Sequence, residues 1–251
     1  MQTILVLFPN EWDQLEFAHP RFQGRYRFAF EGFDLFKFPE NAKLMTFNAP
    51  AFIERMVKKY RATDVAAVVS CDEQIGAMVA ANVAERMGLP GPTPRGVLIA
   101  QHKYYSRKLQ ASVCPEGTPK FFAFPYKIQS PAELGLAFPF FVKPVKATYS
   151  ILARRVDDFD DLRRLLNFGL LETQILKKLV QPCNDLMRAQ PDLQIDGLHL
   201  VGEELSEGVQ VTLDGFVDHG AITILGIVDS VMYPGTNAFQ RFEYPSRLPL
   251  P

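Results

Sequence analysis

An apolar run with a lysine near its end, FPFFVKPV at residues 138–145, constrains the fold of this chain more than any other segment. A short run of aromatic and β-branched residues predicts a buried strand. Lys143 lies near its end, where the ammonium group could donate charge-assisted hydrogen bonds to a phosphate. The alternative is an ordinary strand-end lysine whose ammonium reaches solvent. The run therefore predicts a strand that places the Lys143 ammonium group next to either a ligand or water.

The composition is that of a globular chain that acts on small molecules. Its 251 residues suffice for one large or two ordinary domains, and 47% of them are apolar while 22% are charged. A formal net charge of −1 argues against a nucleic-acid partner, which normally needs a clustered basic surface. No uninterrupted apolar stretch approaches the roughly 20 residues of a membrane span. We therefore expect neither a nucleic-acid nor a membrane partner.

The cysteines and the N-terminal residues favour a cytoplasmic protein. Cys71, Cys114 and Cys183 form no C-x-x-C pair and leave one cysteine over, which argues against a disulfide framework or a structural zinc site. Residues 1–12 have no basic region before their short apolar run, unlike a signal peptide. Both features are typical of a protein in a reducing compartment.

The first part of the chain reads as a βαβ unit. Apolar runs at residues 4–8 and 65–70 predict buried parallel strands, and residues 50–60 between them have helical periodicity. Residues 72–87 predict a further helix, which GLPGPTP at residues 88–94 ends. Asp72 and Glu73 could face a substrate at this sheet edge, but capping of the next helix is the preferred interpretation.

Helices and short strands are both predicted further along the chain. The predicted helices are residues 93–109, 158–168 and 170–188, and the predicted strands are residues 120–124, 140–145, 151–156 and 198–204. Pro182 should interrupt the helix over 170–188, because proline lacks the amide donor. After Gly208 two alternating strands are predicted, joined by a turn at Asp218, His219 and Gly220.

This order of motifs resembles the ATP-grasp superfamily. An opening α/β unit is followed by a lysine in an early helix, by the VKPV strand, and by the acidic segment GEELSEGVQVTLDG at residues 202–215. The resemblance implies an α/β protein with an ATP-grasp fold, preceded by a Rossmann-like pre-ATP-grasp α/β domain and with an incomplete last sheet. The implied domains are residues 1–92, a linker and small lid at 93–205, and the start of the second ATP-grasp subdomain at 206–251.

The resemblance also implies a set of nucleotide-binding residues. Lys103 and Lys143 would contact the triphosphate, and the turn from Lys146 to Ser150 would close over it. The other implied contacts are with adenine, at Glu203, Glu204 and Leu205, and with ribose, at Gln210. Each segment also has a plainer interpretation: a solvated basic helix face around Lys103, a polar hairpin at residues 146–150, and a strand edge at residues 203–210.

Two departures from the family pattern bear on function. The turn KATYS has no glycine, although glycine normally lets backbone amides approach the phosphates closely. The family's magnesium ligands, an acidic residue and a Glu-x-Asn strand, are expected beyond residue 251. The chain is therefore expected to be either a fragment or a short relative without the metal site.

The function implied by the resemblance is that of an ATP- and magnesium-dependent ligase. It would activate a small-molecule carboxylate as an acylphosphate for attack by an amine or similar nucleophile. The alternative is a nucleotide-binding protein without catalysis. Motifs of P-loop, dinucleotide-binding, zincin and serine-hydrolase proteins are absent from the sequence.

Overall fold

The computed structural model describes residues 1–146, 152–236 and 239–248, and the chain divides into two compact units, Met1–Leu205 and Ser206–Pro251. Within the described ranges, no helix combines the length and apolar character needed to cross a membrane. The first unit contains two sheets and all the described α-helices. Short 3-10 turns occur at Pro20–Phe22, Glu40–Thr46, Pro115–Gly117 and Pro131–Glu133.

The chain opens with a parallel sheet in the order β2-β1-β3. Its strands are β1 (Gln2–Leu7), β2 (Tyr26–Glu31) and β3 (Val65–Val69). The central strand β1 is buried on both faces, which explains its continuous apolar run. The predicted strands β1 and β3 are confirmed. The sequence analysis missed β2, whose position at the sheet edge leaves it half-exposed and without such a run.

Three helices accompany this sheet: α1 (Glu11–Phe17), α2 (Ala49–Tyr60) and α3 (Gly76–Arg86). The helix predicted over 50–60 is confirmed as α2, and α3 begins four residues later than predicted. The Asp72 carboxylate accepts hydrogen bonds from the amides of Ile75 (2.8 Å) and Gly76 (2.6 Å). Asp72 therefore caps the start of α3, as the preferred interpretation had it.

The helix predicted over 93–109 is two helices, α4 (Pro94–Gln101) and α5 (Lys103–Val113). The residue between them, His102, has an extended backbone with φ −88° and ψ 101°. Its amide still donates to the carbonyl of Leu98 (2.9 Å), but the next amide, that of Lys103, donates to the carbonyl of Val145 (2.9 Å). Pairing with a residue 42 positions away thus replaces one intrahelical bond and ends α4.

The second sheet of this unit is antiparallel, in the order β4-β7-β5-β6. Its strands are β4 (Phe121–Pro125), β5 (Phe140–Pro144), β6 (Arg154–Val156) and β7 (His199–Glu203). We call it the lid sheet. One face is packed by Phe124, Phe140, Val142 and Leu200, together with Leu162 of helix α6 (Phe159–Leu165). The strand predicted over 151–156 is shorter in the described range, and the other three strands are confirmed.

Helix α7 (Leu170–Met187) continues through Pro182, so the predicted interruption is wrong. Proline there lacks the amide that would bond one turn back. Residues around it, Cys183, Leu186 and Met187, are buried in the same apolar core as β1, α2 and α3. Burial of this helix face offsets the free energy lost with the missing hydrogen bond at Pro182, because tertiary packing outweighs intrinsic helix propensity.

The lid sheet has one position where a side chain cannot be added without displacement. A Cβ atom built at Gly202 would lie 2.3 Å from Cε1 of Phe122. We expect Gly202→Ala to lower the free energy of unfolding by about 1–3 kcal/mol, because the ring must leave its packed position. Chemical denaturation measures this change. The matched control is Gly91→Ala, whose Cβ would meet only Ala84 at 3.6 Å; a similar loss there would contradict the explanation.

The second unit is an antiparallel sheet in the order β10-β9-β8. Its strands are β8 (Val211–Asp218), β9 (Ala221–Met232) and β10 (Phe239–Glu243). His219 and Gly220 form the turn between β8 and β9, with φ of 47° and 85°. Positive φ at both residues is the geometry of a two-residue hairpin turn, so the predicted hairpin is confirmed.

Candidate functional site

Lys143 and Glu203 meet on the face of the lid sheet opposite its apolar core. Lys143 on β5 pairs with Val201 on β7, and side chains alternate between faces along a strand. Glu203, two residues beyond Val201, therefore projects from the same face as Lys143. The Nζ atom of Lys143 lies 2.7 Å from Oε2 of Glu203. The apolar alternation of β5 thus leaves Lys143 on the polar side of the sheet.

Helix α5 brings further cations to this face. Nε of Arg107 lies 2.8 Å from Oε1 of Glu203. Lys103 precedes Arg107 by four residues and so shares its helix face. We call Lys103, Arg107 and Lys143, together with Glu203, the cationic cluster. The sequence analysis missed Arg107, although its spacing of four from Lys103 was a usable signal.

Glu203 is the carboxylate at the centre of the cationic cluster. It is only 5% exposed, and burial by itself would raise its pKa. Hydrogen bonds from Arg107 and Lys143 outweigh burial and hold the pKa of Glu203 below its usual value. One carboxylate among three cations leaves the cluster with an excess of positive charge. Such a set of donors fits a ligand with several negative charges.

Lys103 titrates at an unusually low pH. Burial is the largest cause, and the positive charges of Lys143 and Lys146 add to it, so that the pKa of Lys103 falls to about 8. Glu203 and Glu73 oppose the shift by favouring the charged form. Lys143 and Lys146 are therefore each close enough to repel Lys103, and an anionic ligand would relieve this repulsion.

Because of this low pKa, the nucleotide binding that the resemblance implies should depend on pH. We expect ATP affinity to fall by about threefold to tenfold from pH 7 to pH 9, because Lys103 loses its proton while the phosphates stay ionised. Isothermal titration calorimetry in buffers of different ionisation enthalpy should also detect proton uptake on binding above about pH 8.

Lys103→Arg is the matched control, because a guanidinium stays charged throughout this range. Its ATP affinity should not change with pH, and an equal decline in both proteins would contradict the assignment to Lys103.

In the parent without ligand, the pKa of Lys103 is lower in the folded state than its usual value of 10.5. The unfolded state then binds more protons between pH 8 and 10.5, so the contribution of Lys103 to stability rises with pH across that window.

Lys146 lies beside the cationic cluster, and its ammonium group donates hydrogen bonds to Gln74 and Gln101. Its side chain is buried, with Nζ 3.0 Å from the carbonyl oxygen of Gln74 and 2.5 Å from Oε1 of Gln101. Ser150, with the rest of the predicted phosphate turn after Lys146, lies outside the described residues. The closure of that turn over phosphates stays a prediction.

The predicted adenine hinge, Glu203 to Leu205, begins at the last residue of β7. The Glu204 amide donates to the carbonyl of Lys120 (3.0 Å), and its carboxylate lies 2.9 Å from Nζ of the same lysine. Leu205 ends the first unit and is 37% exposed. Gln210 belongs to the second unit, where its carbonyl accepts a hydrogen bond from the amide of Ser230 (2.9 Å). Their contacts with adenine and ribose stay predictions.

The described ranges contain no group of three or more His, Cys, Asp or Glu side chains placed to hold a metal ion. No set of magnesium ligands can therefore be assigned among the described residues. The positive cationic cluster itself suits an anion and is the opposite of what a divalent cation requires.

Comparison with known proteins gives similarity in structure alone. No protein-family model and no curated protein matches the sequence. An L-amino acid ligase from Bacillus licheniformis is similar with a TM-score of 0.60 and 17% identity, over 92% of this chain and 50% of that protein. This chain therefore spans about half the length of that ligase.

Two further solved structures show the same likeness. D-alanine–D-alanine ligase from Bacillus anthracis matches with a TM-score of 0.57 and 16% identity, over 99% of this chain and 73% of that protein. N5-carboxyaminoimidazole synthetase from Staphylococcus aureus, complexed with ADP, matches with a TM-score of 0.58 and 13% identity, over 98% and 58% of the two chains. At these identities the likeness establishes the fold.

Proposed function

We propose that this chain, whose fold is that of the ATP-grasp ligases, binds ATP against the polar face of its lid sheet. The observation that carries the proposal is the cationic cluster, in which Lys103 and Arg107 from α5 and Lys143 from β5 surround one buried carboxylate. Lys143 and Lys103 would donate to the phosphate oxygens. The Glu203–Lys143 and Glu203–Arg107 ion pairs hold Lys143 and Arg107 in place before a ligand arrives.

The proposed reaction is activation of a carboxylate. A carboxylate oxygen of the substrate attacks the γ-phosphorus, the bond to the β-γ bridging oxygen breaks, and ADP leaves with the electron pair. An amine then attacks the acyl carbon, and phosphate departs. The part of the named residues is to hold the phosphates and offset their charge. Magnesium would add charge neutralisation when bound.

The similar structures suggest which acceptors to test first. Two of them are amino-acid ligases by name, one for L-amino acids and one for D-alanine. A small amino acid would supply both the carboxylate and the amine. We therefore include amino acids in the proposed substrate class for the whole protein. The adenine contacts proposed for Glu203, Glu204 and Leu205 would lie at the end of β7, beside the cationic cluster.

Thermal unfolding with ATP, ADP and adenosine tests the binding proposal, because a ligand that binds the native state raises the unfolding temperature. We expect ATP and ADP to stabilise the chain more than adenosine does. A cooperatively unfolding chain that millimolar ATP and ADP leave unchanged would overturn it. ADP release with amino acids then separates a ligase from the alternative, a nucleotide-binding protein without catalysis.

A further inference from the structure

We propose that Gln101 and Lys146 form a latch that positions the two phosphate-facing lysines, Lys103 and Lys143, relative to each other. The latch consists of these two side chains and the carbonyl groups of Glu73 and Gln74. In this role Lys146 is a positioning residue and does not itself bind the nucleotide. The inference rests on the proposed function, since it assigns a task to residues next to the proposed phosphate site.

One side-chain amide links the two parts of the latch. The Gln101 oxygen accepts a hydrogen bond from Nζ of Lys146, and its nitrogen donates to the carbonyl of Glu73. Lys146 also donates to the carbonyl of Gln74 (3.0 Å). The end of the lid strand is thereby fastened to the segment that follows β3 in the opening sheet.

The burial of Lys146 makes these bonds energetically important. The residue is 8% exposed, and burying an ammonium group is costly unless oxygen atoms replace its water. Its two acceptors are both neutral oxygens. The negative charges of Asp72 and Glu73 also favour its charged form and oppose the lowering of its pKa by burial. Its ammonium group is therefore held in the latch.

The latch adjoins the main-chain contact between α5 and the lid sheet. The Lys103 amide donates to the carbonyl of Val145, the residue between Pro144 and Lys146. The Arg107–Glu203 ion pair joins α5 to the lid sheet further along the helix. Gln101 and Lys146 add a side-chain link on the α4 side of the helix break.

A shift of the latch would alter the distance between the two lysines. Lys146 follows Lys143 by three residues, and Gln101 precedes Lys103 by two. Loss of the latch would loosen the Val145 carbonyl from the Lys103 amide, so both ammonium groups would lose their fixed separation. Binding of phosphates should suffer, whereas binding of the nucleoside should not, because adenosine has no phosphate for these lysines to hold.

The test compares Gln101→Leu and Lys146→Met with the parent by calorimetry and by amide hydrogen exchange. Loss of one or two hydrogen bonds should weaken ATP binding by about tenfold and leave adenosine affinity within about twofold. Exchange at the Lys103 amide should become about tenfold faster. Gln101→Glu keeps the acceptor for Lys146 but loses the donor to the Glu73 carbonyl, so its ATP affinity should lie between those of the parent and Gln101→Leu.

The matched control is Gln181→Leu, which removes an amide whose hydrogen bond, to Asp185, stays within α7. It should change neither affinity nor exchange at Lys103. Equal losses of ATP and adenosine affinity, or unchanged ATP affinity in both latch variants, would overturn the inference. If the folded parent binds no nucleotide, the proposed function fails; the exchange rate at Lys103 then decides whether the latch holds α5 to the lid sheet.

Discussion

Lys143→Met should weaken ATP binding by about 10- to 100-fold, the largest functional effect expected of a single substitution in this chain. A charge-assisted hydrogen bond to a phosphate oxygen contributes about 1.5–3 kcal/mol, and methionine keeps the apolar stem while removing the donor. Calorimetric titration with ATP measures the change. The variant should remain folded, because Arg107 still pairs with Glu203.

Lys127→Met is the matched control for this experiment. Lys127 is an exposed lysine in the same lid region, so its loss changes the net charge equally. Its ATP affinity should stay within about twofold of the parent at physiological ionic strength, since exposed charges are screened over about 8 Å. Equal weakening in both variants would mean that net charge, and not the contact of Lys143, governs binding.

Phe140→Ala should produce the largest loss of stability, about 3–5 kcal/mol. The Phe140 side chain is fully buried in the lid core, where its ring lies 4.8 Å from that of Phe138 and 5.4 Å from that of Phe122. Alanine would leave a cavity beneath the strand that carries Lys143. Chemical denaturation, with fluorescence and circular dichroism as separate probes, measures the loss.

Phe36→Ala provides the control, because this phenylalanine is 52% exposed. Its free energy of unfolding should stay within about 0.5 kcal/mol of the parent. A comparable loss in the two variants would show that aromatic content and not burial in the lid core accounts for stability. A small effect of Phe140→Ala would contradict the assignment of Phe140 to a packed core.

Several elements were predictable because their signals are local. The strand β5 follows from a run of apolar residues, and the helix α2 follows from helical periodicity. The hairpin between β8 and β9 follows from alternation around a glycine turn. The order of motifs led to the ATP-grasp resemblance, and the solved structures confirm that fold. The nucleotide contacts of the individual site residues stay predictions.

The errors arose where distant residues compete with local preference. The Val145 carbonyl takes the Lys103 amide and breaks the predicted helix, while core burial carries α7 through Pro182. The Lys143 ammonium group pairs with Glu203, which neither the site interpretation nor the solvent interpretation of the sequence included. In each case the deciding partner lies far away along the chain.

The sequence by itself determined that residues 140–145 form a strand with a lysine near its end, because periodicity and residue type act over a few neighbouring positions. Only the tertiary structure decided what that lysine meets. Glu203 is 60 residues from Lys143 and 96 from Arg107, and Lys146 is 45 from Gln101. Those pairs depend on the register of β5 against β7 and on the docking of α5 at the lid sheet, and no local pattern encodes either.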